Sequence, residues 1–238
     1  MDTILRVERA LEPELLDELP PDDPKAIRSR RDLKWLNWWM GHRSILAHAL
    51  MRYWKNKPLQ RIVDLGAGDG VFALGLAREL VKYQPRLHIV LLDRQPVVSE
   101  KVQVQFQKLG CKVETVAADI FDWLAQRQGT MEQGTVFTAN LFLHHFHEAE
   151  LCEMFQLASK QVDLFAACEP HRSKLSLTAA KWVGAIACNS VTRHDAVVSV
   201  RAGFMKRELS EMWPTQGNWM LQEQRAGMFS HLFVAHRK

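Results

Sequence analysis

Residues 61–80 read RIVDLGAGDGVFALGLAREL, and the architecture turns on this stretch. Ile62–Leu65 is a short apolar run of the strand type, and from Val71 apolar residues return at helical spacing. Between them Gly66, Gly68 and Gly70 stand at alternate positions. A residue without Cβ lets the backbone take positive φ and lets another group come close to the main chain. A strand–turn–helix unit puts this turn at the carboxyl edge of a sheet, where open α/β sheets bind their ligands. Val71 stands where a dinucleotide-binding G-x-G-x-x-G turn has its third glycine, and the flanking Asp64 and Asp69 would repel a pyrophosphate. A ligand carrying an ammonium and a sulfonium suits these carboxylates.

Outward from this unit, strand and helix patterns alternate. Strands are expected at Ile62–Leu65, His88–Leu92, Lys112–Val116, Val136–Leu141 and Leu164–Cys168. Helices are expected at Val71–Tyr83, Val97–Leu109, Trp123–Gln128, Glu148–Lys160 and Leu175 to about Ala187. This alternation implies βαβ units and a mostly parallel sheet covered on both faces. Trp219–Gln224 and Phe229–His236, with a turn near Gly227, form a terminal antiparallel hairpin and bring the strands to seven. RAGFMKRELSEMWP, residues 201–214, reads as one more amphipathic helix ending before Pro214.

The first 56 residues read as a helical segment or lid: a short helical candidate, the breaker LPPDDP, then helices at about Arg30–Met40 and Arg43–Lys55. Trp35, Trp38, Trp39 and Trp54 lie on these two helices and either cover the main domain, residues 57–238, or close over a flat apolar substrate.

VDLGAGDG resembles motif I of the class I S-adenosylmethionine (SAM)-dependent methyltransferases, and the next marks agree. Strand two ends in LLDR, so Asp93, about 23 residues beyond Gly70, falls where that family holds the ribose, with Arg94 beside it. Strand three runs into AADIFDW, placing Asp119 and Ile120 where the adenine amine and ring are held. The resemblance implies a Rossmann-like, doubly wound α/β fold with SAM as cofactor. It implies that Gly66, Ala67 and Gly68 contact the methionine part through backbone, that Asp64 lies beside its amino group, and that Asn140 is near the reaction centre. Asp119 serves equally as the cap of the following helix.

After strand four comes ANLFLHHFHEAEL, whose LHHF is similar to the segment beside the departing methyl in many members. His144 and His145 are therefore the candidate catalytic residues. A positioned imidazole takes the proton of a phenolic hydroxyl as the bond to carbon forms; the alternative is that the pair closes the strand end through backbone hydrogen bonds. HHFHE supplies metal-ligand types, but no second cluster has ligand spacing, so no metal is expected. The segment from about 171 to 204 corresponds to the insertion that often covers the acceptor. His171, Arg172, Asn189, Arg193, His194 and Arg201, with Trp39, are the candidate substrate residues, Arg193 or Arg201 making forked contacts to an acidic or phenolate group. A capped helix start, with Thr192 or Asp195 as N-cap, is the competing reading.

The whole chain is similar to small methyltransferases of specialised metabolism. O-methylation of a small aromatic hydroxyl is the preferred activity, and N-, C- or carboxyl-methylation, an RNA-modifying role or SAM binding without catalysis stay open. A Rossmann oxidoreductase is disfavoured by Val71 and the terminal hairpin. Nucleic acid is disfavoured as a partner: the chain of 238 residues carries a net charge of +4 with scattered basic residues, and ANLF stands where base-methylating enzymes carry an NPPY-type motif. Four dispersed cysteines suit a reduced, cytoplasmic protein, the acidic N-terminus does not read as a signal peptide, and no window reaches the ~18 apolar residues of a membrane span. A monomer or homodimer is expected.

Overall fold

The computed structural model describes residues 8–20, 22–54, 59–127, 133–187 and 189–238, and leaves the side chains of 17, 33–39, 54 and 183–187 outside the description. Its strands are β1 (Arg61–Leu65), β2 (His88–Asp93), β3 (Lys112–Ala117), β4 (Thr135–Asn140), β5 (Leu164–Pro170), β6 (Trp219–Ala226) and β7 (Ser230–Arg237). They form one seven-stranded sheet in the order β3-β2-β1-β4-β5-β7-β6. The first five are parallel, while β7 runs antiparallel to both β5 and β6. Strand order reverses between β1 and β4. Leu65 is paired with Leu92 on one side and Ala139 on the other, so Gly66, Asp93 and Asn140 follow in a row at the carboxyl edge. This is the switch point at which open sheets bind ligands.

The helices are α1 (Leu15–Glu18), α2 (Pro24–Met40), α3 (His42–Trp54), α4 (Val71–Leu80), α5 (Glu100–Lys108), α6 (Ile120–Gln126), α7 (Glu148–Ala158), α8 (Lys174–Ala187), α9 (Ser190–Ala202) and α10 (Glu208–Met212). Both faces of the sheet are covered, which is why its central strands are apolar throughout rather than alternating. On one face Leu46 and Leu50 of α3, Leu74, Leu76 and Leu80 of α4 and Phe106 of α5 pack with Ile62, Ile89 and Leu91. On the other, Leu124 of α6 and Leu151, Met154 and Phe155 of α7 pack with Val63, Leu65 and Phe137. There Phe155, Phe165, Trp213 and Phe233 form one aromatic cluster, with ring centroids 5.1 to 5.8 Å from Phe155.

Several boundaries differ from expectation: α4 ends at Leu80 and not at Tyr83, α5 starts at Glu100 and not at Val97, and three further differences have a local cause. Helix α2 starts at Pro24, not near Arg30, because proline suits the first helical turn and the Asp23 carboxylate accepts from Lys25 N at 2.7 Å. Helix α6 starts at Ile120, because Asp119 caps it. Residues 201–214 are not one helix: α9 ends at Ala202, and Gly203 is extended and lies so close to β5 that an added Cβ would sit 2.3 Å from the Pro170 carbonyl oxygen. Phe204 N then donates to that oxygen at 2.9 Å, Arg172 N donates to Phe204 O at 3.0 Å, and helix resumes only at Glu208. The expected Trp35, Trp38 and Trp39 lid surface lies outside the described residues, as do the C-terminal limits of the helices expected to reach Lys55 and Gln128.

The aromatic cluster is fully buried, so its loss leaves a cavity. Phe155→Ala is expected to lower unfolding stability by about 3–5 kcal/mol in a urea titration, with an unchanged far-ultraviolet spectrum.

Candidate functional site

The three glycines end β1 as expected and do so with positive φ at each: 68° at Gly66, 52° at Gly68 and 74° at Gly70. Two different needs are met. A Cβ on Gly66 would come within 2.1 Å of the Phe142 ring, so this glycine lets the segment after β4 lie against the turn. A Cβ on Gly68 would meet nothing within 4 Å, so its open side faces the cleft. Asp93 at the end of β2 ties the turn down, accepting from Gly68 N at 2.8 Å through one oxygen and from Gln95 N at 2.9 Å through the other.

A cleft of about 740 Å³ opens over this edge, within the usual size for a small-molecule site. Gly66, Ala67, Gly68, Asp93, Arg94, Asp119, Ile120 and Asn140 all line it, as do His144 and His145. Asp119 also accepts from Phe121 N at 2.8 Å, so capping and cleft lining coexist. Asp64 departs from expectation. It is 3% exposed, lies beneath the cleft rather than in its wall, and accepts from Thr138 Oγ1 at 2.6 Å. Burial, reinforced by the charge of Asp93, pushes its carboxyl up to about 7.

Asn140 is fixed by a residue the sequence reading passed over. His42, at the start of α3, is wholly buried, and burial holds its pKa down at about 4. The neutral ring donates from Nδ1 to Asn140 Oδ1 at 2.7 Å and accepts at Nε2 from the Ser230 hydroxyl at 2.7 Å.

The two histidines have opposite surroundings. His144 is 3% exposed and clamped by carboxylates: its Nδ1 is 2.7 Å from Glu169 Oε2 and its Nε2 is 3.3 Å from Glu14 Oε1. Burial alone would lower its pKa, but the bonds and charges of Glu14 and Glu169 prevail and raise it to about 9. It is an imidazolium at neutral pH, a donor with no lone pair to take a proton. His145 is exposed, stacks at 4.3 Å on the His144 ring and lines the cleft. The other oxygen of Glu169 accepts from Phe142 N at 3.0 Å and Leu143 N at 2.9 Å. Those bonds help hold Leu141 at a φ of 52°, a conformation costly for a branched side chain.

The cleft's cover is an N-terminal arm. Leu11, Glu12, Pro13, Glu14 and Leu16 line it. Asp195 of α9 accepts from Leu15 N and Leu16 N at 2.9 and 3.0 Å, so Asp195 caps the arm's helix α1 and not its own, whose cap is Asn189. Arg9 donates to Ala202 O and Phe146 O, both at 2.8 Å. The insertion reaches the cleft through apolar Val198 and Ala202 rather than its polar residues. Arg172 is buried and bonded to Gly203 O and Glu208, Asn189 donates to Lys25 O, Arg201 pairs with Glu12, and His194 pairs with Asp195. His171 stacks on His231, with ring centroids 5.7 Å apart, and Arg193 is exposed. None of these six lines the cleft, and the Trp39 side chain lies outside the described residues. Glu14, His144 and His145 bring ligand-type atoms within 4.8 Å of one another, but the ion pair between the first two satisfies both without a metal.

Residues 62–162 match the family model described as a methyltransferase domain. No curated protein matches the chain. Among solved structures it is similar to the SAM-dependent methyltransferase SibL in its apo form, at 16% identity and a TM-score of 0.60, over 96% of this chain and 63% of that one. It is similar to the plantazolicin methyltransferase BpumL in complex with a monoazolic desmethylPZN analogue and SAH, at 12% identity and 0.59, over 91% of each chain. It is also similar to the small RNA methyltransferase HEN1, at 14% identity and 0.55, over 82% of this chain and 25% of that one. The fold is that of the class I methyltransferases. Residues 62–162 thus carry the match to a methyltransferase domain, and the solved structures that share this fold include SAM-dependent methyltransferases.

The clamp on His144 sets a pH dependence. Glu14, at about 2 against an ordinary 4.5, contributes stability that is present above pH 4.5 and lost as pH falls toward 2. His144, at about 9 against 6.5, contributes stability that is full below pH 6.5 and lost as pH rises through 9. Glu14→Gln is therefore expected to cost about 2 kcal/mol in denaturant titrations between pH 4.5 and 6.5. Less should be lost at pH 3 or pH 10.

Proposed function

We propose that the protein is an enzyme that transfers the methyl group of SAM to a hydroxyl of a small aromatic acceptor. The observation that carries this reading is His145, an exposed imidazole in the wall of the cofactor cleft, next to a second imidazole held as a cation.

The cofactor supplies an electrophilic methyl on a sulfonium and departs as a neutral thioether. The cleft residues fit it. Each oxygen of Asp93 accepts one backbone N–H and keeps lone pairs for a ribose hydroxyl. Asp119 is available to the adenine amine with Ile120 against the ring, and the open side of Gly68 admits the thioether chain against main chain. The chain's remaining task is to align an acceptor with the methyl and remove its proton. Phe146, Val198 and Ala202, with Leu11 and Leu16 of the arm, offer apolar walls for a flat ring. His145 takes the hydroxyl proton as the oxygen–carbon bond forms. His144, held on both ring nitrogens by Glu14 and Glu169, packs against His145 and positions that imidazole in the cleft wall.

The cleft wall holds six carboxylates, Glu12, Glu14, Asp69, Asp93, Asp119 and Glu150, against three arginines, Arg30, Arg43 and Arg94. That balance repels a phosphate backbone and favours a small acceptor over RNA. No described helix is long and apolar enough to cross a membrane. Cys111, Cys152 and Cys168 are free, which fits a reduced cytoplasmic setting.

Asp93→Ala and Gly68→Val are each expected to weaken SAM binding about 100-fold or more in calorimetry, the first by removing the ribose acceptor and the second by filling the cleft. His145→Gln should lower kcat on a phenolic acceptor by about 100- to 10,000-fold while S-adenosylhomocysteine binds as before. A turnover unchanged in that variant would point to an acceptor that needs no base.

A further inference from the structure

Arg43 is the second residue of α3, directly after His42, whose two ring hydrogen bonds fix the start of that helix. Its side chain turns across α4. A Cβ built on Gly75 would meet Arg43 Cδ at 2.3 Å and its Nη1 at 2.8 Å. Gly75 thus leaves, in the middle of a helix, the room in which the arginine lies, although glycine is a poor helix former there. Arg43 lines the cleft with Val71 and Phe72, is half-buried, and has no hydrogen bond or ion pair among the described residues. A half-buried cation without a partner, in a wall otherwise rich in carboxylates, is a site for an anion.

The other cations of the wall are otherwise engaged. Arg30 has a partner of its own, Arg94 is exposed next to the ribose acceptor, and His144 is clamped by two carboxylates. SAM carries one anionic group, the carboxylate of its amino-acid end. With the nucleoside at Asp93, Asp119 and Ile120, the remaining lining of the same cleft includes Gly68, Val71, Phe72 and Arg43.

We propose that Arg43 binds the α-carboxylate of SAM and that Gly75 is the residue that makes room for it. The proposal rests on the cofactor reading above and extends it to a residue of the N-terminal helices. Nearby, Asp69 and Asp93 accept backbone N–H groups of the turn, which leaves the carboxylate of the cofactor as the guanidinium's counterion.

The test is calorimetric binding of three ligands: S-adenosylhomocysteine, its decarboxylated analogue S-adenosyl-3-thiopropylamine, and 5′-methylthioadenosine, which lacks the amino-acid end. Arg43→Gln is expected to weaken S-adenosylhomocysteine roughly 10- to 100-fold and to leave the other two within about twofold. Gly75→Ala, favourable to the helix but pushing Arg43 aside, should give the same selective loss and serves where Arg43→Gln does not fold. Undiminished binding of S-adenosylhomocysteine, or an equal loss for all three ligands, overturns the assignment of Arg43 while leaving the cofactor reading intact. Failure of the unaltered protein to bind any of the three overturns both.

Discussion

A single buried carboxylate, Glu169, organises the chemistry at the sheet edge. It ends β5 with no exposed surface and gathers the Phe142 and Leu143 amides and the His144 ring onto its two oxygens. A charge so placed is tolerated only because both oxygens have donors, three in all, and the nearest donor is cationic. The arrangement dictates the path of the chain after β4, presses Phe142 onto Gly66, and sends His144 inward and His145 outward. Two adjacent histidines thereby become chemically unlike: one a fixed positive charge, the other an imidazole in reach of solvent.

The electrostatics of the site follow from this division. Charges that face inward are paired and locked, as in Glu14–His144–Glu169, whereas Asp64 under the floor has no cation partner among the described residues and holds its proton into the neutral range. Charges that face the cleft hold the turn from its ends, Asp93 at Gly68 N and Asp69 at Val71 N. The turn is thus braced by hydrogen bonds of the protein's own, which reduces the ordering that accompanies binding.

Legibility in the sequence followed locality. The sheet, its antiparallel hairpin and the glycine turn were readable because each depends on a few consecutive residues with a strong period or a strong turn signal. That Asp93, Asp119 and Asn140 line the cleft was legible through the resemblance, whose marks fall at the ends of strands. Glu169 carried a usable signal, a lone acid closing the apolar run LFAAC, but it lies one residue beyond the strand expected at Leu164–Cys168. Glu14, His42 and Arg43 carried none: an acid among many in the arm, and two residues after Gly41 that only packing brings beneath the cleft, at Asn140, and into its wall. The polar residues of 189–201 misled for the opposite reason. Their density suggested a binding surface, whereas α9 turns that side to the arm and to solvent and gives Val198 and Ala202 to the cleft.

The His42–Asn140–Ser230 link joins residues separated by 188 positions. Asn140, at the end of a central parallel strand, is therefore held through His42 by the first residue of the last strand. The wall of the cleft is complete only with the C-terminal hairpin in place, so a chain shortened by that hairpin would lose a support of its cleft as well as two strands.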